Sequence, residues 1–169
     1  PAAGDDQLRL LNLSPRWATY DVAWDESVLD SLNNLDYLRN ESWTAATPAT
    51  AARFSAVAYY FGKELRDSLK VPVGLILNAV GGSPTEAWVD RHTLEHEFPK
   101  ILDNWRSNDV IQPWVRERAA KNISLAQNPL QRHPYEPCYM YEAGVAPSEG
   151  YALKGVIWYP GESNAHNKD

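Results

Sequence analysis

Apolar positions recur at two different spacings along these 169 residues, and each change of spacing marks an element. Leu8 to Leu13, inside QLRLLNLSP, is an apolar run of strand length closed by the turn pair Ser14-Pro15, and it predicts a strand. From Pro48 to Lys70 the apolar residues Phe54, Val57, Ala58, Phe61, Leu65 and Leu69 return at helical spacing, which predicts one helix with a packed face and a wet one. Thr47 stands where an N-cap belongs, and Pro48 fills the first turn, where a missing N–H costs nothing. Val71-Pro72 ends the run, because the residue before a proline is driven out of helical geometry. VPVGLILNAVGG follows, a near-continuous apolar stretch too short for another helix and closed by Gly81-Gly82. It suits a parallel strand covered on both faces.

SPTEAWVDRHTLEHEF predicts a further helix, with Ser83 or Thr85 as its cap and acids near its start. Asp103 to Lys121 predicts more helix, interrupted by Pro113. Pro129, Pro134 and Pro137 mark a loop, YMYEAGVAP a short segment, and KGVIWY a last buried strand that breaks into a turn at Gly161. Arg16 to Trp43 has no regular period and predicts a long surface excursion tied down by its aromatic residues. Helix, strand, glycine turn, helix, strand and glycine turn is the order of an α/β sheet. Ligands gather at the carboxyl ends of strands in such sheets, and both glycine turns occupy such ends. The two turns are therefore expected to meet. The chain shows no internal repeat and no low-complexity tract.

The length suits one domain over residues 1–169. With 44% hydrophobic and 22% charged residues the composition is that of a folded protein. A net charge of -6 argues against nucleic acid, whose backbone needs clustered Lys and Arg. No apolar run approaches the roughly 20 residues of a membrane span, so neither membrane nor nucleic acid is an expected partner. No signal peptide precedes Pro1, and a start without Met suggests a processed product or a fragment. The single cysteine, Cys138, reads as a small buried hydrophobe. No Cys/His spacing resembles a zinc site, and no cofactor is expected. Seven tryptophans and nine tyrosines are an excess in so short a chain; most read as core packing, and a subset could stack on sugar rings.

The second turn, GESNA, holds Glu162, Ser163 and Asn164 and admits three readings. It comes near the nucleophile elbow G-x-S-x-G, with Ala165 in place of the last glycine, but little chain follows to form the helix an elbow needs. It also fits a plain structural turn with Ser163 or Asn164 as a local cap. The third reading makes both turns donors: Gly82 has no side chain to keep a substrate from its N–H, and Asn164 adds a carboxamide N–H. Two such donors aimed at one point form an oxyanion hole.

RFSAVAYYFGKELRDSLKVPVGLILNAVGGSPTEAWV and GVIWYPGESNA, in that order and at this spacing, resemble the sialate O-acetylesterase branch of the SGNH (GDSL-like) hydrolases. QLRLLNLSPRW and HPYEPCYMYEAGVAP extend the similarity more weakly. The resemblance implies a flavodoxin-like three-layer α/β/α sandwich with a parallel sheet, here incomplete. It further implies removal of acetyl groups from sugar hydroxyls, such as those of sialic acids, through an acyl-serine intermediate. Gly82 and Asn164 then map onto the oxyanion hole, with Gly81, Ser83 and Glu162 at the substrate, and Ser163 is not the nucleophile. A location outside the cytoplasm, secreted or periplasmic, is inferred from the resemblance alone.

Two departures qualify that expectation. The family's nucleophile block, GQSNM-like, and its Asp-x-x-His pair have no counterpart here, so flanking segments or a companion chain would carry the catalytic Ser, His and Asp. His92, His96, His133 and His166 stand outside the expected context and read as surface residues or local hydrogen bonders. Pro160 replaces the glutamine of WYQGES, removing an amide and a polar side chain. The rival readings are a sugar-binding domain without catalysis and an esterase using Ser163 with His166.

Overall fold

In a computed structural model the described residues are 4–39, 41–159 and Asn164. The chain runs β1 (Asp5–Leu13), α1 (Glu26–Asn33), β2 (Thr44–Ala46), α2 (Pro48–Ala51), α3 (Ala56–Leu69), β3 (Val73–Asn78), α4 (Arg91–Glu97) and α5 (Pro113–Asn122), with short 3-10 turns on either side of α4 and a π turn and a further 3-10 turn after α5. Two compact units divide it, the first built from residues 1–14 and 39–79, the second from 15–38 and 80–169.

The first unit carries a mixed sheet in the order β2-β1-β3, with β1 antiparallel to β2 and parallel to β3. Leu8 faces Val73, Leu10 faces Leu75, and Asn12 faces Leu77. Alternate side chains of a strand share a face, so Leu8, Leu10 and Leu75 form one core with Ala46 and Phe54, flanked by Ala58 and Tyr59. A methyl group on Gly62 would stand 2.5 Å from a Leu75 methyl, so glycine lets α3 lie close on β3. The helix ends at Lys70, in the left-handed region at φ 58.

Several expectations are corrected here. The helix foreseen over 48–70 is two: Thr47 caps α2 through a capping box with Thr50, the chain turns at Phe54, and the Ser55 side chain caps α3. Val57, Phe61 and Leu69 consequently lie exposed, and the buried position of α3 is Gly62. The sheet is mixed, not purely parallel, because β2 joins it antiparallel.

The second unit is built of helices and turns. The excursion foreseen over 16–43 contains α1, capped by Asp25, and buries Trp24, Val28, Leu29, Leu32 and Tyr37. The helix foreseen from Ser83 is a 3-10 turn over Thr85–Trp88 followed by α4, because Asp90 bonds the amide of Thr93 and starts a new helix there. The helix foreseen over 103–121 is only α5: Asn104 sits at φ 44, which a right-handed helix excludes, and Pro113 begins α5 instead of interrupting it. Residues 154–159 form no strand. They pair with no other segment among the described residues, and Val156 and Tyr159 are each 78% exposed. An apolar run becomes a strand only where a neighbour offers a ladder.

Cys138 is buried, as its reading as a small hydrophobe requires, and burial lifts its thiol pKa to about 11. Among the described residues no helix is long and apolar enough to cross a membrane, and no group of three His, Cys, Asp or Glu is placed to hold a metal ion.

Candidate functional site

Beyond β3 the chain makes a tight turn, Val80 to Ser83. The amide of Ser83 donates to the carbonyl of Val80 at 3.2 Å, and Gly82, third in the turn, has φ 79. That combination is a type II turn, whose third residue needs a positive φ that glycine adopts freely. Ser83 locks it, donating its hydroxyl to the Val80 carbonyl at 2.8 Å and accepting from the Trp88 indole at 2.8 Å. The Ser83 hydroxyl hydrogen is therefore committed inside the turn.

Behind the turn stands Tyr135, fully buried, whose hydroxyl lies 2.9 Å from the Gly81 carbonyl and 2.8 Å from the Thr19 hydroxyl. A Cβ on Gly82 would meet the Tyr135 oxygen at 2.5 Å and Nη1 of Arg118 at 3.2 Å. Among the described residues neither Gly81 nor Gly82 donates its N–H to anything. The turn thus holds two unused backbone donors against a rigid backing.

His133 supplies that backing and is not a catalytic base. Its Nδ1 accepts from the Tyr135 amide at 2.9 Å, so the proton is on Nε2, which donates to Asn122 at 3.0 Å. Asn122 in turn donates to the carbonyls of Thr19 and Val22. Burial first, and then the charge of Arg106, push the pKa of His133 down to about 3. His92 and His96 sit on α4, their rings 4.0 Å apart, with Nδ1 of His96 2.8 Å from the His92 carbonyl.

Asn164 docks on the segment that follows the glycine turn. Its Oδ1 accepts from the amide of Thr85 at 2.8 Å and from the Thr85 hydroxyl at 2.9 Å. It thereby caps a 3-10 turn whose own N-cap, Pro84, provides no side-chain bond. Its Nδ2 lies 3.1 and 3.0 Å from the two oxygens of Glu86. The oxygens of one carboxylate subtend a far smaller angle at that nitrogen than its two hydrogens do. One N–H is therefore shared between them, and the second points elsewhere. The Glu86 carbonyl accepts from the Cys138 amide at 3.0 Å, which anchors the residue at its other end.

Of the predicted site residues, Gly81, Gly82 and Ser83 form the turn, and Asn164 binds residues three and four positions beyond Gly82. Glu162 lies outside the described residues, as do Pro160, Gly161, Ser163 and His166. No spacing or motif singles out Tyr135, Glu86 or Arg118: each meets a site residue through a contact distant in sequence. A cleft of about 450 Å³ in the first unit, lined by Asn12, Ser14, Thr50 and Arg53 among others, contains none of the predicted residues.

No family model matches the chain. It is 31% identical to the sialate O-acetylesterase of Mus musculus over 167 residues, 92% of this chain and 30% of that protein. It is 30% identical to the sialate O-acetylesterase of Rattus norvegicus, across 85% of this chain and 28% of that protein. Among solved structures, a carbohydrate acetylesterase from Xanthomonas citri superposes with a TM-score of 0.58 and 30% identity, over 96% of this chain and 27% of the other. The chain thus spans less than a third of the length of these relatives. Over most of its own length this chain is a homologue of the sialate O-acetylesterases.

Proposed function

We propose that the chain provides the oxyanion-binding half of a carbohydrate O-acetylesterase, within a three-layer SGNH-type domain to which both units belong. The nucleophilic serine and the Asp-x-x-His pair come from other polypeptide, and the site works outside the cytoplasm. The serine oxygen attacks the acetyl carbonyl carbon, passing its proton to the histidine. Negative charge collects on the carbonyl oxygen, where the Gly82 amide and the free Asn164 N–H donate to it. Each such donor, fixed before the reaction, is worth about 10²–10³-fold in rate. Collapse of the intermediate expels the sugar alkoxide with a proton from the histidine, and water then hydrolyses the acyl-serine.

One observation supports the reading: Asn164 is bonded to Thr85 and Glu86, three and four positions beyond Gly82, with one N–H turned away from Glu86, while the Gly82 N–H is unused. The test is acetate release from O-acetylated sialic acid by a polypeptide carrying this chain together with the serine and histidine, with and without Asn164→Ala. A fall in kcat of about 10²-fold or more at nearly unchanged KM is expected. An unchanged kcat contradicts the assignment.

A further inference from the structure

His92 and His96 present two imidazoles to solvent from one face of α4. Leu94 is buried and anchors the helix, while His92, Glu95 and His96 are exposed. Positions four apart on a helix lie one above the other, the spacing that zinc-binding helices use for a histidine pair. Here the two ring centres stand 4.0 Å apart, with their planes inclined at 44°. Two nitrogens that share one zinc ion, each at about 2.0–2.1 Å from it, are themselves no more than about 4 Å apart. The rings are therefore already close enough to chelate.

Protonation favours the same use. A backbone carbonyl only accepts, so the 2.8 Å contact between Nδ1 of His96 and the His92 carbonyl puts the proton of the neutral ring on Nδ1. Nε2 keeps its lone pair on a ring already held in place, as in metal-ligating histidines whose other nitrogen donates to a carbonyl. Among the described residues neither nitrogen of His92 makes a hydrogen bond. The local charge suits a cation: Asp90, Glu95 and Glu97 surround the pair in sequence against Arg91, which is itself paired with Glu142 at 3.4 Å. Asp90 lends charge only, since its two oxygens accept from the amide and the hydroxyl of Thr93. His133 does not compete, being buried with both ring nitrogens bonded.

We propose that His92 and His96 chelate one divalent transition-metal ion of the zinc, nickel or copper class on the surface of α4, with water completing its coordination. Imidazole suits these ions, and hard cations prefer oxygen. Two protein ligands give an exchangeable site, unlike the four that close a structural zinc site. Nothing of the Gly82 turn takes part, so the proposal is independent of the esterase reading.

The test is calorimetric titration of the 169-residue chain with nickel, zinc and magnesium chlorides. Nickel and zinc should each bind at one equivalent, and magnesium should give no saturable binding. His92→Gln and His96→Gln should each weaken nickel binding by at least about tenfold, while His166→Gln leaves it unchanged. Absence of nickel and zinc binding, magnesium binding as tight as nickel, nickel binding that survives both substitutions, or its loss in His166→Gln each overturns the proposal. The comparison of nickel with magnesium needs no variant, so a misfolded substitution does not blunt it.

Discussion

The hydroxyl of Tyr135 sits 2.9 Å from the carbonyl of Gly81 and holds the glycine turn from behind. The same oxygen stands 2.5 Å from where a Cβ on Gly82 would be, so the residue that braces the turn also forbids a side chain on it. Gly82→Ala meets both that contact and a φ of 79. The expected loss of stability is about 1–3 kcal/mol, measured by urea unfolding. Tyr135→Phe removes the hydroxyl that Gly81 and Thr19 share and should cost about 1–2 kcal/mol while leaving the φ of Gly82 allowed. Equal stability of Gly82→Ala and wild type would show that the turn relaxes freely.

Glu86 orients Asn164, and its removal should affect chemistry more than binding. In Glu86→Ala the carboxamide keeps Thr85 but loses the carboxylate that fixes its Nδ2. A polypeptide with acetate-releasing activity should lose about tenfold in kcat with little change in KM, and Glu86→Gln should restore part of the loss through its remaining oxygen. A rise in KM alone would mean that Glu86 meets substrate instead of positioning Asn164.

His133 makes the second unit sensitive to acid. Its folded pKa, about 3, is depressed below the value near 6.5 of an unfolded histidine. Above about pH 6.5 neither state takes the proton and its stabilising effect is whole; as pH falls toward 3 the unfolded state binds the proton and the folded state does not. Stability should therefore drop with falling pH across that window, at a slope of up to roughly 1.4 kcal/mol per pH unit from this group. His133→Gln should flatten the slope between pH 6 and 4 in urea titrations. An unchanged slope would show that His133 protonates freely in the folded protein.

Cys138 should resist modification. Its side chain is buried and its pKa raised to about 11, chiefly by burial, so little thiolate exists at pH 8. A thiol reagent such as DTNB should give no rapid reaction with the folded chain and one equivalent after denaturation. Rapid labelling at pH 8 without denaturant would contradict this environment.

What the sequence could reveal follows the range of the forces involved. β1 and β3 are legible because their apolar runs and closing turns are local, and Gly82 is legible because a positive φ selects glycine. The break at Phe54 was hidden: Ser55 offers a second cap inside what reads as one continuous helix. KGVIWY has strand composition, yet strand formation depends on a partner that composition does not supply. Tyr135 and Glu86 have no readable spacing to the residues they serve, since Tyr135 meets Gly81 across 54 positions and Glu86 meets Asn164 across 78. Arg118 joins its aromatic neighbours from two parts of the chain, and only one of them, Trp114, lies a helical turn away.

The central claim is that the Gly82 amide and the Asn164 carboxamide donate to one oxyanion, and it can be tested on this chain without turnover. Methylphosphonate, a tetrahedral anion the size of an acetyl adduct, is titrated into the ¹⁵N-labelled protein while the Gly82 N–H and the Asn164 side-chain N–H resonances are followed. Both should move downfield and saturate with the same Kd, and Asn164→Ala should weaken the response of Gly82. Movement of only one resonance, of neither, or of the two with different Kd values would contradict a shared oxyanion site.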